Sequence, residues 1–156
     1  MCVYLVLAAL ILAAGVGCAN RDDAVAATTG KEKPQTQMTP QDLEQLMRKI
    51  GPGYQVLQKH LQANETAEAG KQAQQLAELF GGVEKFWTQH NRPDAAKWAG
   101  EARTLASDAA GTAAASSVPK ATAAAEKLGG VCKQCHSTYR EDDGQGGYRI
   151  KASALR

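Results

Sequence analysis

Aromatic residues make up only 5% of this 156-residue chain, and β-branched residues are sparse through its middle. Both shortages exclude a fold built on packed sheets. No basic stripe with interleaved aromatics occurs, and the formal net charge is only +2, so a nucleic-acid-binding profile is excluded. The four cysteines fall as two distant pairs, Cys2 with Cys18 and Cys132 with Cys135, which is not a disulfide framework. Only three histidines are present, His60, His90 and His136. No nucleophile–base pair stands out, so the chain reads as a non-enzyme.

What is present is concentrated at Cys132-Lys133-Gln134-Cys135-His136. C-x-x-C-H is the attachment signature of a c-type haem. Two thiols add across the two vinyl groups, and the following imidazole reaches the iron from one face. Two other readings of C-x-x-C compete. A zinc site needs two further ligands, for which His60 and His90 are the only other histidines. A thioredoxin-like redox pair needs a βαβ context, and no strand pattern lies nearby.

The N-terminus carries an export signal at residues 1–18. Val3 to Ala14 is an unbroken apolar run, small residues lead to Cys18, and the chain then turns polar at Asn20-Arg21-Asp22-Asp23. No Lys or Arg precedes the apolar run. Cys18 after small residues resembles a lipobox, with Gly15 where a Leu is usual. Lipidation of Cys18, plain cleavage and an uncleaved anchor are the three readings. As a helix the uncharged segment would span roughly 25 Å, marginal for a bilayer. Each reading puts the domain outside the cytoplasmic membrane, in the periplasm or its equivalent. Residues 19–38 read as a flexible linker.

From residue 39 the composition favours helix: Ala, Gln, Glu, Lys and Leu dominate. Thr39-Pro40-Gln41-Asp42 predicts a capped start. Leu43, Met47, Ile50, Tyr54, Leu57 and Leu61 then step 4-3-4-3-4, a stripe suited to a bundle. Gly51-Pro52-Gly53 interrupts it, but the phase holds across, which predicts one kinked helix. A second helix carries Ala69, Ala73, Leu76, Phe80, Val83 and Trp87; a third opens at Pro93 with Trp98, Ala102, Leu105 and Ala109. A fourth opens at Pro119 with Ala121, Ala125, Leu128, Cys132, Cys135 and Tyr139. Both motif cysteines therefore fall on core-facing positions, with His136 on the adjoining flank. The expected fold is all-α: an antiparallel up-down-up-down four-helix bundle over residues 39–141, with haem bound near the C-terminal helix.

Three stretches resemble class II c-type cytochromes, the cytochrome c′ family. They are CKQCHSTYR from Cys132 to Arg140, the Pro93-to-Trp98 start of the third helix, and Leu46-Met47-Arg48-Lys49-Ile50-Gly51 in the first. The resemblance covers roughly Pro40 to Asp143. It implies one covalent haem c held through Cys132 and Cys135, with His136 as proximal iron ligand. Met47 aligns with the Met that supplies the distal ligand in the low-spin branch, whose job is electron transfer with redox partner proteins. The other branch leaves the iron five-coordinate and binds NO or CO. The Gly51-Pro52-Gly53 break departs from the family pattern. The resemblance also implies a homodimer paired through the first two helices. Arg48 and Arg140 are candidate partners for the haem propionates, since guanidinium matches carboxylate in fork geometry. The glycine-rich end, residues 142–156, reads as a disordered tail.

Overall fold

The computed structural model describes residues 37–156. The export signal, Cys18 and all but the last two residues of the expected linker lie outside the described residues. Four helices follow in order: α1 Pro40–Gln62, α2 Thr66–Gln89, α3 Pro93–Ala114 and α4 Val118–Tyr139. They pack as the antiparallel four-helix bundle that the stripes predict. No helix among the described residues is long and apolar enough to cross a membrane.

The helix ends follow from short-range chemistry. Thr39 closes a capping box: its hydroxyl accepts from the Asp42 amide, and the Asp42 carboxylate accepts from the Thr39 amide at 2.8 Å. The three turns between helices share one geometry. Each places a non-glycine residue at positive φ just past the helix: Asn64 at 58°, Asn91 at 53° and Ser116 at 56°. The next amide then reaches back across the last turn: Glu65 to His60, Arg92 to Trp87 and Ser117 to Thr112. This is the Schellman closure, which satisfies carbonyls a helix end leaves orphaned.

α1 passes through Pro52 as a single helix. Pro52 and Gly51 are exposed, so the lost hydrogen bond faces water rather than core. Gly53 has a packing reason. A Cβ there would meet the Gln72 side chain at 2.9 Å and Leu76 at 3.3 Å, so its absence lets α1 lie close on α2.

All six stripe residues expected on α2 are buried. On α3 the buried stripe is Ala95, Ala99, Ala102, Ala106, Ala109 and Ala113, six alanines stepping 4-3-4-3-4. The bulk of Trp98 and Leu105 predicts a stripe through them, but both are only half-buried. The α2–α3 seam is too close for bulk and takes methyl groups. α2 and α3 make the most extensive contact of the bundle, and α1 and α4 the slightest of the helix pairs around it.

The C-terminal residues correct the expectation of a disordered tail. Strand β1 Arg140–Asp142 pairs antiparallel with β2 Tyr148–Ile150, and a 3₁₀ turn follows at Ala152–Leu155. Carboxylates build the turn between the strands: Asp142 accepts from the Gly144 amide at 2.7 Å, and Asp143 from Gln145 and Gly147 at 2.8 and 2.9 Å. Ala154 is buried. Gln37 and Met38, the last residues of the expected linker, are held on the end of α2. There the Met38 amide donates to the Gln89 side chain at 2.8 Å.

Candidate cofactor site between the first and last helices

α1 and α4 part over a cavity of about 770 Å³. That volume lies in the range of small-molecule and cofactor pockets. α4 contributes Cys132, Cys135 and His136 to its wall, and α1 contributes Met47. Arg48 and Arg140 border the same space, so all six residues singled out in the sequence converge on one cavity. Trp87, Phe80 and Val83 supply part of its apolar wall.

The stripes explain why the space exists. Four of the six residues on the α1 stripe are buried, but Met47 and Tyr54 are only half-buried. On α4 the stripe is buried at Ala121, Ala125 and Leu128 and half-open at Cys132, Cys135 and Tyr139. The half-open positions are core-facing residues, and all of them border the cavity. At the far end of the seam Tyr54 closes it, its hydroxyl donating to the Ala125 carbonyl at 2.9 Å. A Cβ on Gly129 would come within 2.5 Å of that hydroxyl, so only glycine admits the phenol there.

The electrostatics of the motif separate the three C-x-x-C readings. Cys132 and Cys135 are free thiols. Burial raises the pKa of both, that of Cys135 to about 11, with the neighbouring Cys132 and Asp94 charges adding to it. Both are therefore protonated at neutral pH. A disulfide-exchanging cysteine needs the opposite, a depressed pKa and an exposed thiolate. His136 is held below the ordinary imidazole value, first by burial and then by the Arg140 charge. At neutral pH it keeps a lone pair free for a metal. His60 and His90 are engaged elsewhere. His60 pairs with Glu65 through Nδ1, and His90 Nε2 lies 3.0 Å from the Met38 carbonyl. Neither stands where a zinc site at the motif would need it.

Past the motif, Tyr139 fastens the end of α4 to the start of α3. Its hydroxyl donates to both oxygens of Asp94, each at 2.7 Å. Its ring packs on Trp87 at 4.8 Å and lies 6.2 Å from Trp98. Trp87 carries one loose end: its indole Nε1 is buried with no acceptor among the described residues. An unmet buried donor costs about 1–3 kcal/mol, and Trp87 borders the cavity. Arg48 is well exposed and held by Glu44 at 2.6 Å, while Arg140 stacks on the Tyr148 ring at 3.9 Å.

Comparison with family models, with curated proteins and with solved structures finds no match for this chain. The functional reading therefore rests on the residues and the cavity they share. The residues fit a haem: a large apolar space, two protonated thiols and a neutral imidazole on one wall, and a thioether sulfur on the helix that forms another. Sequence reasoning missed the C-terminal contribution to this site. Tyr148, Arg149, Ile150 and Leu155 all border the cavity. The alternation in Tyr148-Arg149-Ile150 beside an Asp/Gly-rich turn was the available signal.

Proposed function

We propose that this chain carries one covalently attached haem c and passes single electrons to redox partner proteins outside the cytoplasm. The observation that carries the reading is that one cavity is bordered by Cys132, Cys135 and His136 from α4 and by Met47 from α1. The haem supplies a reversible one-electron iron centre. The residues do the rest. Cys132 and Cys135 are the covalent attachment points. His136, neutral at working pH, is the proximal ligand, and the Met47 thioether is the distal one. A thioether favours the reduced metal and raises the potential. Phe80, Val83 and Trp87 keep water from the space. Arg48 and Arg140 at the border meet the propionates, and the export signal, with Cys18 as its lipidation candidate, puts the domain where such partners work.

The decisive experiment is a pyridine haemochrome assay on protein produced with haem-maturation machinery. Bound haem c is expected in the wild type, and none in Cys132→Ser/Cys135→Ser. The ferric spectrum is expected to be low-spin with a Met-to-iron charge-transfer band, and Met47→Ala converts it to high-spin. A wild type whose ferrous form is high-spin and takes CO at once would instead remove Met47 from the iron and make the site a gas-binding one.

A further inference from the structure

We propose that the C-terminal hairpin is a wall of the cofactor site, with Arg92 as the positioning residue that holds it closed. This rests on the haem reading. Residues 140–156 start directly after the motif helix and turn back against it, which places Ile150 and Leu155 on the cavity border. Both are half-buried and pack on the core, and Ala154 beside them is fully enclosed.

The hairpin is held at two points. Lys151 holds one: its amide donates to the Tyr139 carbonyl at 2.9 Å, and its ammonium to the Thr138 carbonyl at 2.7 Å. These contacts tie the hairpin to the end of α4, where a cation also complements the helix dipole. The second point crosses the fold. Arg92, in the turn between α2 and α3, spreads its guanidinium over the carbonyls of Ser153, Ala154 and Arg156 at 2.8–2.9 Å and 2.7 Å. Three backbone acceptors on one fork fix position as well as attachment, because a guanidinium is planar and rigid. The contacts run from a helix turn to the chain end, so releasing them leaves the four helices intact.

A wall has two consequences. It excludes water from the His136 side of the cavity, and low polarity around a haem disfavours the more charged ferric state. Opening the hairpin therefore lowers the potential. In return, a cofactor that touches the wall holds it shut, because coupling between two binding events is reciprocal.

Limited trypsin digestion, followed by mass spectrometry at the bond after Arg149, tests this together with potentiometry. In the wild type, haem loading is expected to slow that cleavage by about tenfold or more. In Arg92→Gln, cleavage of the haem-free chain is expected to accelerate about tenfold, on the loss of three charge-assisted contacts. Haem-loaded Arg92→Gln is expected to keep its axial ligands and show a lower potential. Lys151→Gln, which removes the ammonium contact of the other point and keeps its amide contact, is expected to shift the potential in the same direction by less. Cleavage that is equal with and without haem overturns the proposal and leaves the haem reading standing. So does faster cleavage with an unchanged potential in both variants, which marks the hairpin as merely structural. A chain that is haemochrome-negative overturns both.

Discussion

The α2–α3 seam and the α1–α4 seam are built from similar helical stripes and do opposite things. On the first, α3 buries only methyl groups, and the two helices make the most extensive contact of the bundle. On the second, larger residues at equivalent heptad positions (Met47, Tyr54, Cys132, Cys135) stand half-open around a cavity. The α3 alanines serve both: Ala106 and Ala109 lie away from the cavity, and Ala99 and Ala102 border it. The cavity lies where α1 and α4 touch least.

The same substitution on one helix gives the harshest test of that contrast. Ala102 borders the cavity and Ala106, one turn on along the same stripe, does not; both are buried. Ala106→Leu is expected to cost about 3 kcal/mol in denaturant unfolding, the upper end for overpacking a closed core. Ala102→Leu should cost under about 1.5 kcal/mol, because its side chain can extend into the cavity. Under the proposed haem function, the price for Ala102→Leu is expected instead as reduced haem incorporation. Equal costs for the two would erase the distinction between the seams.

Gly129→Ala sharpens it next. The added methyl collides with the Tyr54 hydroxyl, which bridges α1 to α4. A loss of about 1–2 kcal/mol is expected, after the helix-propensity gain of alanine over glycine is set against the displaced hydrogen bond. Adding Tyr54→Phe should recover part of it, and a double-mutant cycle measures how much.

The Tyr139–Asp94 contact, which ties α4 to α3 beside the cavity, predicts a pH dependence. The Tyr139 hydroxyl lowers the Asp94 pKa, so the carboxylate's contribution is present above its unfolded value near 3.8 and is lost as pH falls through the lower folded value. Tyr139 is itself pushed up to about 12, by burial first and by the Asp94 hydrogen bond second. Its contribution is therefore present below about 10, the usual phenol value, and is lost as pH rises toward 12. Tyr139→Phe should flatten the stability curve at both ends, read by denaturant midpoints at pH 2–5 and 9–12. A profile unchanged by the substitution would remove this tie from the account.

The mildest effect is expected far from the cavity. Ser116 sits at φ 56°, where glycine carries no Cβ penalty. Ser116→Gly should stabilise by about 0.5 kcal/mol, a shift in thermal midpoint of a degree or two and no change at the cofactor site.

Much of this was legible in the chain. Repeated 4-3 steps gave four helices, and Thr39 with Pro40, Pro93 and Pro119 gave the starts of α1, α3 and α4. The motif on the last stripe and Met47 on the first led to opposite walls of one cavity. Two things were not legible. The α3 phase was hidden because alanine buries well yet carries little hydrophobic signal, so Trp98 and Leu105 outweighed it. The C-terminal wall was hidden because its local composition is that of a loop. Its order comes from Arg92, distant in sequence, and from Asp carboxylates that cap their own turn, neither of which a hydrophobic pattern records.

The order of the helices also sets an order of assembly. α2 and α3 are neighbours in sequence and meet over a three-residue turn, so their tight seam closes at small entropic cost and should form early. Met47 and Cys132 sit near opposite ends of the domain and can face each other only when the whole chain is in place. The cavity is thus the last part of the molecule to form, and Cys132 and Cys135 stay reachable from outside until the end of folding.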